Sequence, residues 1–150
     1  VRSRGLGDVY NRQVMEYADE RMRDLMRAYD EYISSCEYVR MPDVYAKIVN
    51  MKSRRFWVSD IRATQVIYAM MRGVPLKGMR PLKREMFEEI FRRVLALRKK
   101  RPELTVRACC CVVVAGPAPK FYLTPGSAKI MVCKARKKWI QEKLKRLRLL

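Results

Sequence analysis

The sequence of 150 residues contains no histidine, and this absence removes several kinds of chemistry. Acid–base catalysis by imidazole and nucleophile pairs of the Ser-His or Cys-His type both require it. The five cysteines form no C-x-x-C pair, and no histidine can complete a ligand set, so a structural zinc site is not expected. An odd number of cysteines, three of them consecutive, indicates reduced thiols in a cytoplasmic protein.

Acidic residues are scarce: 15 Asp and Glu stand against 34 Lys and Arg, a net charge of +19. The excess is uneven along the chain. Residues 1–39 hold 6 basic and 8 acidic side chains, residues 40–101 hold 17 and 5, and residues 102–150 hold 11 and 2. Self-repulsion of this size opposes folding, so the composition indicates a polyanionic partner, with nucleic acid favoured over an anionic membrane surface.

Long apolar runs and catalytic motifs are also missing. The longest apolar run, residues 108–119, is interrupted by Gly116 and Pro117 and is too short to cross a bilayer. The sequence has no phosphate-binding G-x-x-x-x-G-K-[ST] loop and no G-x-S-x-G elbow. The N-terminal acidic residues are spread over a solvated helix face, which disfavours a metal-dependent nuclease. The chain is therefore expected to be non-enzymatic, with no metal and no cofactor.

Hydrophobic periodicity predicts an all-α fold. Ser59, Thr105 and Thr124 are suitable N-caps, and Gly73 is a suitable helix end. The run of three valines at 112–114 makes a strand the alternative for the fifth segment. The predicted helices span residues 11–35, 42–51, 60–72, 83–100, 106–115 and 125–149.

The most informative feature is an internal repeat, in which the second half of the chain follows the pattern of the first half at a constant offset. The segment RFWVS at 55–59 aligns with KFYLT at 120–124, and Ala63 aligns with Ala128 four residues after each segment. The apolar stripes of the first and fourth helices fall into the same register. The repeat predicts two tandem three-helix units, residues 1–72 and 83–150, joined by a linker at 73–82, with a long basic helix at the C-terminus.

A long helix, a shorter one and a capped third helix form the plan of a tri-helical DNA-binding domain. The open faces of the third helices then carry the candidate contacts. Arginine and glutamine suit base edges in a major groove, whereas lysine suits phosphates. The candidate nucleic-acid-binding residues are Arg54, Arg55, Arg62, Gln65, Arg72, Lys120, Lys129, Lys134, Arg136, Lys137 and Lys138.

At the repeated Phe-aromatic-aliphatic-Ser/Thr-x-x-x-Ala block, in its basic setting, the chain resembles small helix-turn-helix proteins of bacterial mobile elements and phages. The resemblance implies a DNA-binding accessory, architectural or regulatory factor in the cytoplasm, associated with the nucleoid or carried in a virion. One feature departs from the family pattern: the break at 52–58 is longer than the 3–4-residue turn of the compact motif.

Two alternatives stay open at this point. The same basic faces would suit an RNA-binding structural subunit of a ribonucleoprotein. The C-terminal segment 134–150 is basic and amphipathic, which is typical of a nucleic-acid-tracking, partner-binding or membrane-surface helix. For the basic residues of this segment, nucleic acid is the favoured partner. Its apolar stripe is expected to dock on protein or on a second copy rather than on a membrane.

Overall fold

A computed structural model describes the backbone of residues 4–149 and the side chains of residues 17–149. Within that range the chain is all-α, as the periodicity predicts, and the segment of the three valines is helix rather than strand. The fourth helix begins two residues earlier than expected and shortens the linker. The helices are α1 (Arg4–Ser35), α2 (Met41–Ile48), α3 (Asp60–Met71), α4 (Pro81–Lys100), α5 (Val106–Ala115) and α6 (Pro125–Arg148).

The helix starts follow from local capping chemistry. The hydroxyls of Ser59, Thr105 and Thr124 each accept a hydrogen bond from a backbone N–H three residues on, at 3.1 Å. Such caps satisfy donors that the first turn of a helix leaves unpaired. At the end of α3, Gly73 has φ +76, a backbone conformation that glycine adopts without steric cost, and the chain turns there.

The helix bounds repeat at the offset of the sequence repeat. α2 and α5 begin at residues 41 and 106, α3 and α6 begin at 60 and 125, and α1 and α4 end at 35 and 100. Matched positions also share burial, as in the pairs Phe56 and Phe121, Ala63 and Ala128, and Ile67 and Val132. We refer to α1–α3 as the first repeat and to α4–α6 as the second repeat.

The helices pack in two compact units that differ from the division expected from sequence. One unit contains α1, α2 and α6, and the other, residues 50–123, contains α3, α4 and α5. Each unit therefore takes its third helix from the other repeat, whereas the repeat predicted that 1–72 and 83–150 would each pack on themselves. The connections before α3, at 49–59, and before α6, at 116–124, are long enough to carry these helices away from their predecessors.

The core of unit 50–123 forms where α3 meets α4 and α5. Ala63 and Ile67 of α3 are fully buried with Ile90 and Val94 of α4 and with Cys109 of α5. Because the alanine side chain is small, α3 approaches its neighbours closely. Burial of this kind is worth about 1.5–3 kcal/mol for each large aliphatic side chain.

Aromatic side chains close the end of this core. Phe56 is fully buried, and its ring stacks on that of Tyr122 with centroids 6.0 Å apart. The guanidinium group of Arg93 lies over the Phe56 ring at 5.1 Å and donates a hydrogen bond of 2.7 Å to the carbonyl of Pro117. Phe56 and its repeat counterpart Phe121 are buried in the cores, whereas Trp57 and Tyr122 are half-buried.

Equivalent positions of the two repeats are joined through their backbones within unit 50–123. Ser53 and Ala118 match each other in the repeat alignment and form an antiparallel bridge, with both N–H···O distances at 3.0 Å. Phe56 adds a third bond, from its N–H to the carbonyl of Val114 at 3.1 Å. These bonds satisfy backbone groups of the long connections, which would otherwise be buried without partners.

The other unit buries apolar side chains from all three of its helices. They include Leu25 and Ala28 of α1, Val44 and Ile48 of α2, and Val132 of α6. Beside them Asp24, which is 1% exposed, accepts hydrogen bonds of 2.9 and 2.7 Å from Arg27. A pair of the same spacing occurs at the matching positions of the second repeat, where Glu89 accepts from Arg92.

The exchanged third helices predict how fragments of the chain behave. Fragments 1–72 and 73–150 should each lack a cooperative thermal transition, because the partners of each third helix lie in the other fragment. Mixed together, they should associate in a 1:1 ratio and regain a cooperative transition. Fragment 50–123 contains one complete unit and is the control, since it should unfold cooperatively alone. Calorimetry and size-exclusion chromatography provide the readout, and independent cooperative folding of 1–72 would contradict the packing.

Candidate nucleic-acid interface

Among the described helices, α6 has the largest net charge. This helix carries nine basic residues and one acidic residue, a net charge of +8 over 24 residues. From Cys133 to Arg148 every side chain except that of Ala135 is exposed. At 1.5 Å per residue the helix is about 36 Å long, which is close to one turn of duplex DNA.

Five of these cations lie in a line along one face, which we call the basic stripe. Side chains spaced by three, four or seven positions lie above one another on the same face of a helix. The single acidic residue of the helix, Glu142, borders this stripe and lies in a groove against α1 that Lys138 and Trp139 also line. The members of the basic stripe are Lys134, Lys137, Lys138, Lys145 and Arg148.

Two other sequence-predicted residues of α6 lie outside this stripe. Arg136 is turned toward α1, where its Nη1 is 3.4 Å from the Tyr29 hydroxyl and its guanidinium lies over the Tyr29 ring at 5.9 Å. Lys129 is exposed near the start of the helix, one turn after Pro125. Arg136 therefore contributes to packing within its unit, while Lys129 extends the basic surface toward the helix start.

The outward face of α3 has different chemistry. Ile61, Gln65, Tyr68 and Arg72 recur at helical spacing and are exposed, and Arg62 is exposed beside them. The opposite face buries Ala63, Val66 and Ile67 in the core. The sequence-predicted residues Arg62, Gln65 and Arg72 thus share one accessible surface of unit 50–123.

The third helices of the two repeats do not present the same side chains. In the repeat alignment, Gln65 corresponds to Ile130 and Arg62 corresponds to Ser127. Only Arg72 has a basic counterpart, Lys137. The arginine and glutamine groups that suit base edges therefore occur on α3, and the lysines that suit phosphates are concentrated on α6.

Arg55 is used within the protein rather than presented to a ligand. Its Nε donates to the carbonyl of Phe56 at 3.2 Å, its Nη2 donates to that of Val58 at 3.4 Å, and its guanidinium lies over the Trp57 ring at 5.6 Å. These contacts fix the connection that leads into α3. Its neighbour Arg54 is exposed. The predicted phosphate contact at Arg55 therefore competes with three local interactions.

Lys120 is similarly engaged. Its ammonium group pairs with Glu85 and lies 5.4 Å from the centroid of the Tyr122 ring.

Burial, together with the charges of Glu89 and Glu85, raises the pKa of Tyr122 to about 12, so this hydroxyl is neutral at physiological pH. Hydrogen bonds from Arg92 and Arg93 lower the pKa of Glu89 against the effect of burial. The carboxylates of Glu85 and Glu89 are thus each paired with cations of the same unit.

Sequence reasoning omitted several cations that the structure exposes. Lys145 and Arg148 complete the basic stripe, and their spacing from Lys138 is the signal that identifies them. The run Arg98–Arg101 is exposed at the end of α4, where cations also interact favourably with the helix dipole.

The arrangement differs from a compact helix-turn-helix. In that motif two consecutive helices pack across a turn of 3–4 residues. Here residues 49–59 separate α2 from α3, and α3 packs on α4 and α5. The outward face of α3 is exposed, but the orientation of the helix is fixed by its packing on α4 and α5 rather than by a short turn after α2.

Comparison with known proteins gives no match to a protein-family model, a curated protein or a solved structure. Within the described part of the chain, no group of three His, Cys, Asp or Glu residues could hold a metal ion. No described helix is both long and apolar enough to cross a membrane.

The contacts of Arg55 predict a role in stability. Arg55→Ala should lower the free energy of unfolding by about 1–2 kcal/mol, because the carbonyls of Phe56 and Val58 and the Trp57 ring each lose their contact with the guanidinium group. Arg62→Ala removes the same charge from an exposed side chain and should change that free energy by less than about 0.5 kcal/mol. Urea denaturation of both variants measures the difference. Equal stability of the two would show that the Arg55 contacts contribute nothing.

Proposed function

We propose that the protein is a non-enzymatic DNA-binding factor that contacts duplex DNA through α6 and α3. The observation that carries the proposal is the basic stripe of α6. Its members run from Lys134 to Arg148, a rise of about 21 Å along the helix axis. All five are exposed.

A stripe of this kind suits the phosphate backbone. Each ammonium or guanidinium group placed beside a phosphate releases condensed counterions, which favours binding without regard to sequence. Lysine side chains adapt to irregular phosphate positions, since the ammonium is a compact charge on a flexible stem. The α6 surface is therefore proposed to anchor the protein on DNA.

The outward face of α3 supports a second contact. Gln65 can bond both edge groups of adenine, and Arg62 or Arg72 can bond both acceptors of guanine in the major groove. Tyr68 and Ile61 add apolar surface, 45% and 52% exposed, at the same face. This surface is proposed to select sequence, as an accessory or regulatory factor would require.

RNA is the second candidate partner, because phosphates attract the same cations. The major groove of an RNA duplex is too narrow for side chains on a helix to read, whereas that of B-DNA admits an α-helix. Competition between duplex DNA and RNA of the same sequence, at one salt concentration, separates the two. Preference for RNA would replace the proposed partner.

The salt dependence of binding tests the proposed function. If the chain neutralises about 6–10 phosphates, log affinity should fall with log salt at a slope of about −5 to −9. Lys137→Ala and Lys145→Ala should each reduce the steepness by about one unit. Lys47→Ala is the matched control, because it removes an exposed lysine from α2. Fluorescence anisotropy with labelled duplex measures all four proteins, and a slope near zero for the parent chain would overturn the proposal.

Sequence selection should depend on α3 and not on α6. Arg62→Ala or Gln65→Ala should weaken a preferred site by about 1–3 kcal/mol and leave random DNA almost unchanged. Lys129→Ala and Lys134→Ala should weaken both DNAs alike. The preferred site comes from selection on a random duplex library. A ratio of specific to random affinity that the α3 variants leave unchanged would show that both helices act only as phosphate anchors.

A further inference from the structure

α6 exposes an apolar face that the proposed DNA contact does not use. Ile140, Leu144 and Leu147 are 48%, 50% and 58% exposed. Their spacing of four and three residues places them in one row, distinct from Ala135, Trp139 and Glu142, which line the groove against α1. Three large aliphatic side chains in one solvent-exposed row form an apolar surface of the kind that binding partners cover.

The row belongs to a longer heptad register. Counting back from Leu147, steps of three and four residues alternate through six positions to Ile130, and all six side chains are exposed. Alternation of this kind is the pattern of a coiled-coil seam. We call these positions the heptad seam: Ile130, Cys133, Lys137, Ile140, Leu144 and Leu147.

The positions that flank the seam are almost entirely basic. In a coiled coil these flanking positions face the partner helix and determine which helix is accepted. Lys143 borders Leu144 and also lies 4.9 Å from the Trp139 ring centroid. The six flanking residues are Lys129, Lys134, Arg136, Gln141, Lys143 and Arg148, of which only Gln141 is neutral. Arg136 lies against Tyr29 of α1, which leaves four cationic flanks to face a partner helix.

This charge pattern disfavours a second copy of the chain as the occupant. Two α6 helices packed through their seams would place basic flanks against basic flanks, and in a parallel pair Lys137 would face Lys137. Like charges across such an interface oppose pairing. An acidic helix meets no such opposition, because each flank gains a complementary charge and Lys137 gains a carboxylate.

The width of the seam favours a helix over a lipid surface. A helix that lies on a membrane presents a broad apolar face. Here the apolar row is narrow, and Lys137 interrupts it. A single lysine within a seam fixes register against a partner helix that offers an acidic group opposite it.

We propose that the heptad seam of α6 binds an amphipathic helix that carries apolar heptads flanked by Asp and Glu. The proposal stands on the exposed apolar row and its cationic flanks, and the seam region shares Lys134, Lys137 and Arg148 with the basic stripe. The partner covers Ile140, Leu144 and Leu147, and its carboxylates pair with Lys143, Arg148 and Lys137.

The probe is a synthetic helix of about three heptads, which matches the length of the seam from Ile130 to Leu147. It carries Ile and Leu at its seam and Glu at both flanking positions. Two controls are a peptide with Lys at the flanking positions and a scrambled peptide of the same acidic composition. Anisotropy with the full chain should show binding at least about tenfold tighter for the acidic heptad peptide than for either control, and rising salt should weaken it.

A double variant locates the surface. Leu144→Gln with Leu147→Gln should weaken binding of the acidic heptad peptide by at least about tenfold, since buried aliphatic anchors are lost. Leu95→Gln on α4 is the matched control, because Leu95 is 44% exposed outside the seam. Circular dichroism confirms that the variants stay folded, and their affinity for duplex DNA is measured in parallel. Unchanged DNA affinity in the double variant separates the apolar row from the cations that contact DNA.

Several results would overturn the proposal. They are equal binding of the acidic and basic heptad peptides, binding that the double variant leaves unchanged, and no binding of the acidic heptad peptide. Self-association of the chain that the double variant abolishes would assign the seam to a second copy. Binding to vesicles of anionic lipid through the same leucines, without peptide binding, would assign it to a membrane surface.

Discussion

The packing of α3 on α4 and α5 is the contact on which the other features of the fold depend. Ala63 and Ile67 are fully buried there, and Phe56 closes the end of the same core. Because α3 is held by helices of the second repeat, the connection before it must be long, and its backbone is satisfied by the Ser53–Ala118 bridge. The first two helices then lack a third helix of their own repeat, and α6 takes that place.

The helices were predictable from sequence because their signals are local. Periodicity, the hydroxyl caps at Ser59 and Thr124, and Gly73 all act within a few residues of the helix ends. The packing partners were not predictable, because the repeats offer nearly equivalent apolar faces. Ala63 and Ala128 are equally suited to either pair of preceding helices, so apolar pattern alone does not distinguish packing within a repeat from exchange between repeats. The long connection at 52–58 was the one sequence feature that disfavoured a compact turn.

The candidate interface was predictable to a similar extent. Exposure of Arg62, Gln65 and Lys137 follows from helical periodicity, since buried neighbours fix which face points outward. The roles of Arg55 and Lys120 do not follow from it. Arg55 bonds nearby carbonyls only because residues 56–58 turn back on it, and Lys120 meets Glu85 only through tertiary packing.

The distribution of carboxylates explains why the positive charge is concentrated on α6. Asp24, Glu85 and Glu89 are each paired with a cation of their own unit, so they offset charge locally. α6 has only Glu142, which lies in the groove against α1 beside Lys138. A helix with so many exposed cations repels itself, and that repulsion is relieved when phosphates or carboxylates approach. The chemistry of α6 therefore favours an anionic partner on each of its exposed faces. The outward face of α3 carries one glutamine, two arginines and a tyrosine, and it favours a partner with specific hydrogen-bonding groups.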